Sequence, residues 1–251
     1  MQVLKIGGNE LEVPSFRHAL AQTVAALAEP VVVVHGGGKA IADMQSRLGL
    51  RPVMVDGLRV TDGPSLQIAQ MVLSGYSNKL LVTALLAAGV EAIGISGVDG
   101  GLLRCVKRQH PAVDLGYVGQ VVAVEDRILR YLLQQGMTPV VSPVSLGLDG
   151  QVYNVNADEA AGTIATSLAA ETLYFVSNVP GVLDGAGRPI PTLSTAETEA
   201  LLNEGVIHGG MVPKVQAALD VIARGVPQAR IVNLDGLQGT GGTVFSNLAT
   251  E

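Results

Sequence analysis

A three-layer αβα sandwich with a mainly parallel central sheet is the fold class that this sequence predicts. Three observations carry the expectation. Short apolar runs alternate with amphipathic stretches along most of the chain, which is the pattern of strand–helix–strand units. Runs such as Pro30–Val34 and Thr172–Ser177 are almost continuously apolar, as strands covered on both faces must be. Glycines gather where such runs end, at Gly7-Gly8, Gly36–Gly38, Gly94 with Gly97, and Gly181. In open parallel sheets that is the edge where ligands bind.

The elements follow in order. Gln2–Ile6 reads as a strand ending in Gly7-Gly8, and Ser15–Leu27 as a helix with Ser15 as its N-cap. Pro30–Val34 is a second strand, and Lys39–Leu48 a helix after the glycine triplet. Val53–Thr61 contains Asp56-Gly57, a hairpin signal. Gly63–Ala88 is helical with a break expected around Gly75, and Glu91–Ile95 is a strand. Leu102–Val124 reads as a β excursion, Glu125–Gln135 as a helix and Thr138–Ser142 as a strand. Asp149-Gly150 turns the chain into Gln151–Asn154. Ala157–Ala169 is a helix, Thr172–Ser177 a buried strand, and Ser194–Glu204 and Lys214–Ala223 are helices. Arg230–Asn233 is the last core strand, with Gly242–Phe245 at an edge. Right-handed crossovers follow from chain chirality. No internal repeat or long linker interrupts the pattern.

Composition excludes several classes. Glycine is 31 of 251 residues, about 12% against a norm of ~7%, yet without the strict period of collagen. The chain is 48% hydrophobic and 15% charged, which is too apolar for disorder. One cysteine, Cys105, cannot make a disulfide framework and reads as a small buried hydrophobe. Mean hydropathy is +0.39. The most apolar stretches are nevertheless broken: Leu80–Val98 by Gly89, Glu91, Gly94 and Gly97, and Tyr131–Leu148 by Gln134, Gln135, Pro139 and Pro143. Neither fits a membrane span. The opening MQVLKIGG has no apolar secretory core, so a cytoplasmic protein without a membrane partner is expected. A net charge of −6 argues against a nucleic-acid surface.

Familiar glycine loops do not fit. Gly38-Lys39 is followed by Ala40, and Val33 stands where a P-loop begins with glycine. A dinucleotide fingerprint starting at Gly36 places Ile41 at its third glycine position. His18, His35, His110 and His208 have no metal-ligand spacing, and no metal site is expected. What remains is a set of isolated charges near strand ends. Lys5 lies inside the first strand, where an unpaired charge is costly, so it either meets an anion or sits on an edge strand open to solvent. Lys214 follows Pro213 in a first helical turn, where a cation opposes the helix dipole unless a phosphate lies between them. Asp158 stands at a turn-to-helix junction, either as a cap or as a partner for a cation. Arg59 lies beside the hairpin signal.

Taken in order, KIGG (Lys5–Gly8), VVHGGG (Val33–Gly38), GLRVTD (Gly57–Asp62), SNKLLV (Ser77–Val82), NVNADEAAG (Asn154–Gly162), SNVPGVLD (Ser177–Asp184) and GGMVPKV (Gly209–Val215) resemble the amino acid kinase family. They are most similar to its members acting on N-acetyl-L-glutamate in arginine biosynthesis. The resemblance spans the first strand to the last helices. It implies one domain over 1–251, with an acceptor lobe over about 1–145 and a nucleotide lobe over about 146–251. It implies transfer of a phosphoryl group from ATP with Mg2+ to a side-chain carboxylate, the metal being held mainly by the nucleotide phosphates.

By the same resemblance, Lys5 and Lys214 neutralise the phosphoryl oxygens, Asp158 holds the two lysines, and Gly8 offers its backbone N–H. Gly37, Gly38, Arg59 and Asn154 hold the acceptor, with Arg59 on its α-carboxylate. Asn178, Val179, Gly181, Val182, Leu183, Val206, Ile207, His208 and Met211 line the nucleotide. The acceptor carboxylate is already ionised at neutral pH, so no general base is required. GLRVTD and NVNAD separate the chain from the related kinases acting on carrier-linked aminoadipate in lysine biosynthesis, whereas Asn178 leans toward them. That acceptor stays open as an alternative, as does a non-catalytic amino-acid sensor on the same fold. Only Met1–Leu4 precede Lys5, where arginine-inhibited hexamers of the family carry an extra helix, so an arginine-insensitive homodimer is expected.

Overall fold

In the computed structural model, which describes residues 1–239 and 241–246, one mixed sheet runs through the molecule. Among the described residues thirteen strands, eleven of them in this sheet and β3 and β4 in a separate pair, and ten α-helices follow in chain order as β1 (Gln2–Ile6), α1 (Gly8–Leu11), α2 (Pro14–Ala25), β2 (Val31–His35), α3 (Gly38–Arg47), β3 (Met54–Val55), β4 (Leu58–Arg59), α4 (Gly63–Gln70), α5 (Asn78–Ala87) and β5 (Ala92–Gly97). The chain continues through β6 (Leu103–Lys107), β7 (Gly119–Val124), α6 (Arg127–Gln134), β8 (Thr138–Gly147), β9 (Val152–Asn154), α7 (Ala157–Leu168), β10 (Thr172–Val176) and β11 (Thr192–Leu193). It ends in α8 (Thr195–Asn203), α9 (Val212–Ala223), β12 (Gln228–Val232), α10 (Leu234–Gln238) and β13 (Thr243–Phe245).

The main sheet has the order β11-β13-β12-β10-β1-β2-β8-β6-β7, with β5 and β9 also paired to β8. Its centre, β12-β10-β1-β2-β8-β5, is parallel throughout. Antiparallel pairs are confined to β12–β13, β6–β7 and β8–β9. The fold is thus the αβα sandwich that the alternation predicts.

Strand periodicity sorts the core into two layers. Val3, Val32, Val34, Leu173 and Phe175 pack with Ala161, Ile164, Val215 and Ile222 from α7 and α9. The intervening residues Leu4, Ile6, Val31, Val33 and Val176 pack on the other face with Leu20, Leu81, Leu85 and Leu237 from α2, α5 and α10. Lys5 falls in step with Val3, so it faces α7 and α9. His35 falls in step with Val31 and Val33, so it faces α5. Leu4 is fully buried. Leu4→Ala should cost about 2–5 kcal/mol, read as a lowered midpoint in urea unfolding with an unchanged slope.

Several local expectations need correction. Ser15 does not cap its helix: Val13 occupies that position and Pro14 opens the first turn, where a missing N–H costs nothing. Two short helices, α1 and α10, were not legible. No break occurs at Gly75. Met71–Ser77 instead forms a π-helical turn that joins α4 to α5. Such turns tend to mark functional sites, and this one carries Leu73 and Ser77 up to Gly37. The strand at Thr138 runs on to Gly147 through Pro139 and Pro143. Asp56-Gly57 makes the expected tight turn, with φ of 47° and 77° between β3 and β4. Cys105 is fully buried, and burial pushes its thiol up to about 11, as suits an inert packing residue.

Candidate active site

The C-terminal ends of β1, β2 and β10 open onto a cleft of about 370 Å³. β1 lies between β2, which follows it early in the chain, and β10, which comes late and leads on to β12 on the far side. This is where an open parallel sheet leaves a crevice. Lys5, Gly8, Gly37, Gly38, Arg59, Asn154, Asp158 and Lys214 all line it. The structure therefore brings together the eight residues expected around the phosphoryl group and the acceptor.

Lys5 is on a central strand, so the edge-strand alternative fails. Its Nζ lies 2.9 Å from Asp158 Oδ1, a charge contact whose angle falls short of a hydrogen bond. Asp158 is free for this because Asn156 caps α7, accepting from the Asp158 N–H at 2.7 Å. Lys214, in the first turn of α9, donates to Ser177 Oγ at 2.6 Å. Burial depresses its pKa, and the Lys5 charge depresses it further, against the opposing pull of Glu10 and Asp158. Two cations facing one cleft are a ready site for an anion that relieves both.

The glycines are dictated by close approach. A Cβ at Gly8 would lie 2.5 Å from Gly37 N and 2.6 Å from Gly37 Cα. A Cβ at Gly37 would lie 2.7 Å from Leu73 Cδ2. Backbone from β1 and backbone from β2 therefore meet with no room for a side chain, and their amides border the cleft.

On the acceptor side, Arg59 is held in a plane. One terminal nitrogen donates to Gln45 Oε1 at 2.7 Å and the other to the Gly38 carbonyl at 2.8 Å. Gln45 is itself buried and donates to Ser65 Oγ at 2.8 Å. Burial lowers the Arg59 pKa, from a range so high that the charge persists. Asn154 donates to Thr61 Oγ1 at 3.3 Å, and Thr61 donates to the Arg59 carbonyl at 2.7 Å. Arg59→Lys should raise the acceptor KM about 10–100-fold with little change in kcat, because a fixed planar fork becomes a point charge. Steady-state kinetics at saturating nucleotide check this.

The residues expected to line a nucleotide are more scattered. None lines the cleft of Lys5 and Lys214. Asn178 and His208 are exposed, Leu183 is 38% exposed and Val206 is half-buried. Val179 and Met211 pack partly on the α7/α9 core layer. Val182 and Ile207 lie within that core at 1% and 3% exposure, so their side chains cannot line a ligand and only their backbone could. Gly181, at φ 151°, sits where a Cβ would meet Thr243 Oγ1 at 2.7 Å, and its neighbour Val182 N–H donates to that hydroxyl. Asn178 is tied to the lysine site, since Ser177 Oγ accepts from Lys214 and donates to Asn178 Oδ1 at 3.4 Å. A second groove of about 390 Å³ opens beside this loop, between Pro180 and Pro189 on one side and Asn233, Asp235 and Gly236 on the other.

Sequence reasoning missed Glu10, Gln45, Ser65 and Ser177. Glu10 lines the cleft two residues after Gly8, and its charge beside KIGG was a visible signal. Gln45 and Ser65 carried none, because only the packing of α3 against α4 brings them to Arg59.

A parallel-sheet crevice with paired lysines, glycine amides and a fixed arginine defines a protein that brings two anions together. Residues 1–233 match the amino acid kinase family, and the chain belongs to it. It is 51% identical over 244 residues to an acetylglutamate kinase of Roseiflexus sp. (strain RS-1), covering 97% of this chain and 93% of that one. It is 52% identical over 235 residues to an acetylglutamate kinase of Roseiflexus castenholzii (strain DSM 13941 / HLO8), covering 94% and 90%. Its fold superposes on a crystal structure of N-acetylglutamate synthase from Neisseria gonorrhoeae complexed with coenzyme A and L-arginine, with a TM-score of 0.86. That match has 24% identity and covers 99% of this chain and 61% of that one.

Proposed function

We infer that the chain transfers the γ-phosphoryl group of ATP to the side-chain carboxylate of N-acetyl-L-glutamate, giving N-acetylglutamyl phosphate for arginine biosynthesis. The observation that carries the reading is the cleft itself, where Lys5 and Lys214 face an arginine-lined pocket across a gap bordered by glycine amides. The repulsion between a carboxylate and a polyphosphate is the main obstacle to this reaction, so positioning and charge neutralisation do most of the catalysis. The rival acceptor, a carrier-linked aminoadipate, has no specific observation in its favour beyond Asn178, which lies outside the acceptor pocket.

Within this reading Lys5 and Lys214 balance the charge on the transferring oxygens, and Asp158 keeps Lys5 in place. Gly8 and Gly37 offer backbone N–H groups. Arg59 receives the α-carboxylate, with Gly38 and Asn154 beside it. The acceptor lobe is about 1–145 and the nucleotide lobe about 146–251. Loop residues Asn178–Leu183, with Val206, His208 and Met211, meet the nucleotide, and Val182 and Ile207 do so through backbone alone. Among the described residues no three His, Cys, Asp or Glu side chains gather to hold a metal. In this reading magnesium would enter with the nucleotide phosphates, where it would supply further charge neutralisation.

A cytoplasmic homodimer completes the proposal. Among the described residues no helix is long and apolar enough to cross a membrane. Met71, Tyr76 and Leu86 are more than half exposed along the helix beside β5, which supports association of two copies. Sedimentation at micromolar concentration should give twice the chain mass, and a monomer would overturn that part.

The test of the activity is hydroxylamine trapping. ATP, magnesium and N-acetyl-L-glutamate should yield a hydroxamate together with ADP. No hydroxamate, or a clear preference for a carrier-linked aminoadipate, would overturn the assignment.

A further inference from the structure

Beneath the glycine triplet lies a fully buried imidazole that none of these roles uses. His35 ends β2 and faces α5. Its Nδ1 is 3.0 Å from the Gly36 carbonyl oxygen, and its Nε2 is 3.1 Å from Asn78 Nδ2. A carbonyl only accepts and an amide nitrogen only donates, so Nδ1 carries the hydrogen and Nε2 accepts. Asn78 is oriented in its turn. Its nitrogen also donates to the Val140 carbonyl at 2.9 Å, and its oxygen accepts from Lys79 Nζ at 2.9 Å. Burial pushes the imidazole down to about 4, so it stays neutral at physiological pH and holds one tautomer.

A trans peptide directs its C=O and its N–H to opposite sides. The Gly36 carbonyl is drawn toward the imidazole, so the N–H of Gly37 is turned the other way. That side is the gap over Gly8, where a Cβ would lie 2.5 Å from Gly37 N. Among the described residues the Gly37 N–H has no backbone partner. It stands at the N-cap of α3, where the helix dipole adds to its pull on an anion. We propose that His35, oriented by Asn78, is a positioning residue that locks the Gly36–Gly37 peptide so that the Gly37 N–H is aimed at the transferring phosphoryl group. A donor fixed in advance needs no reorganisation during transfer, and support from behind is what fixes it.

The inference rests on the kinase reading, and two variants separate the two. His35→Asn keeps a donor near the Nδ1 position, whereas His35→Gln places its amide near Nε2 and abandons the Gly36 carbonyl. With ATP and N-acetyl-L-glutamate, His35→Gln should lose about 10²-fold in kcat, the scale for one lost oxyanion donor. His35→Asn should stay within about fivefold of wild type, and both variants should keep each KM within about threefold. In nitrogen-15 spectra the Gly37 amide should shift on adding a non-hydrolysable ATP analogue with magnesium, in wild type and in His35→Asn.

If His35→Gln matches or exceeds His35→Asn, or the Gly37 amide of folded wild type does not respond, the positioning role is wrong. Should His35→Gln fail to fold, a kcat for folded His35→Asn as low as about 10²-fold below wild type overturns it equally. A wild-type chain that forms no hydroxamate sinks the kinase reading instead, so the two failures are distinguishable.

Discussion

Lys214→Ala is expected to lower kcat by about 10²–10³-fold while moving the KM of either substrate far less, as befits a charge needed most during transfer. Lys214 stands in the first turn of α9 with its pKa already depressed by burial and by Lys5. Holding both lysine charges at one cleft is thus electrostatically costly, and an incoming phosphoryl group relieves that cost. The relief grows as negative charge spreads over the transferring oxygens, which is why turnover suffers more than binding. Lys214→Arg should recover little, because the planar guanidinium cannot reproduce the 2.6 Å contact with Ser177 Oγ in the same space. Initial-rate kinetics with varied ATP and varied acceptor check the split. A loss carried entirely by KM would show that Lys214 only binds the nucleotide.

Gly8→Ala should be nearly as damaging, with kcat down at least about 10²-fold, the scale of a 1 Å misplacement. The added methyl would meet the Gly37 backbone at 2.5 Å. Neither strand can retreat, since β1 and β2 are paired along their whole length, Gln2 with Val31 through Ile6 with His35. The clash must therefore open the loop after β2 and displace the amides that border the cleft. Thermal unfolding gives the control: a modest fall in Tm with a large fall in kcat locates the damage in the loop, whereas matching wild-type rates would exclude the close-approach account.

Much of the fold, and the anomalous residues that gather at the cleft, were legible because they depend on local signals. A lysine inside an apolar strand and a lysine in a first helical turn are anomalies wherever they occur. Each alone is met by an anion or by solvent, and the family resemblance is what joined the two at one phosphoryl group. Glycine doublets and triplets at strand ends likewise announce close backbone approach. The nucleotide side was less legible because its signal is apolar. Val182 and Ile207 look the same in the chain whether they line a ligand or fill a core, and only the packing of α7 and α9 shows that they fill the core. The π turn at Met71–Ser77 was hidden for a related reason, since Gly75 signals a weak helix without saying how the helix accommodates it.

What the sequence by itself determined is the layered architecture and the edge of the sheet that bears the glycines, while the family resemblance supplied the expectation that the charged residues share that edge. Strand period, helix period and the cost of burying an unpaired charge all act within a few residues, so they can be read in one dimension. What only the tertiary structure decided is how those groups are held. Gln45 with Ser65 behind Arg59, Ser177 under Lys214, and Asn78 with His35 beneath the glycine triplet are pairings across 14 to 43 positions of chain. The last two exist because the sheet order β10-β1-β2-β8 brings distant segments side by side, and the first because α3 packs on α4. A hydrogen bond needs its partners within a few tenths of an ångström, and that precision comes from packing, which no local pattern encodes.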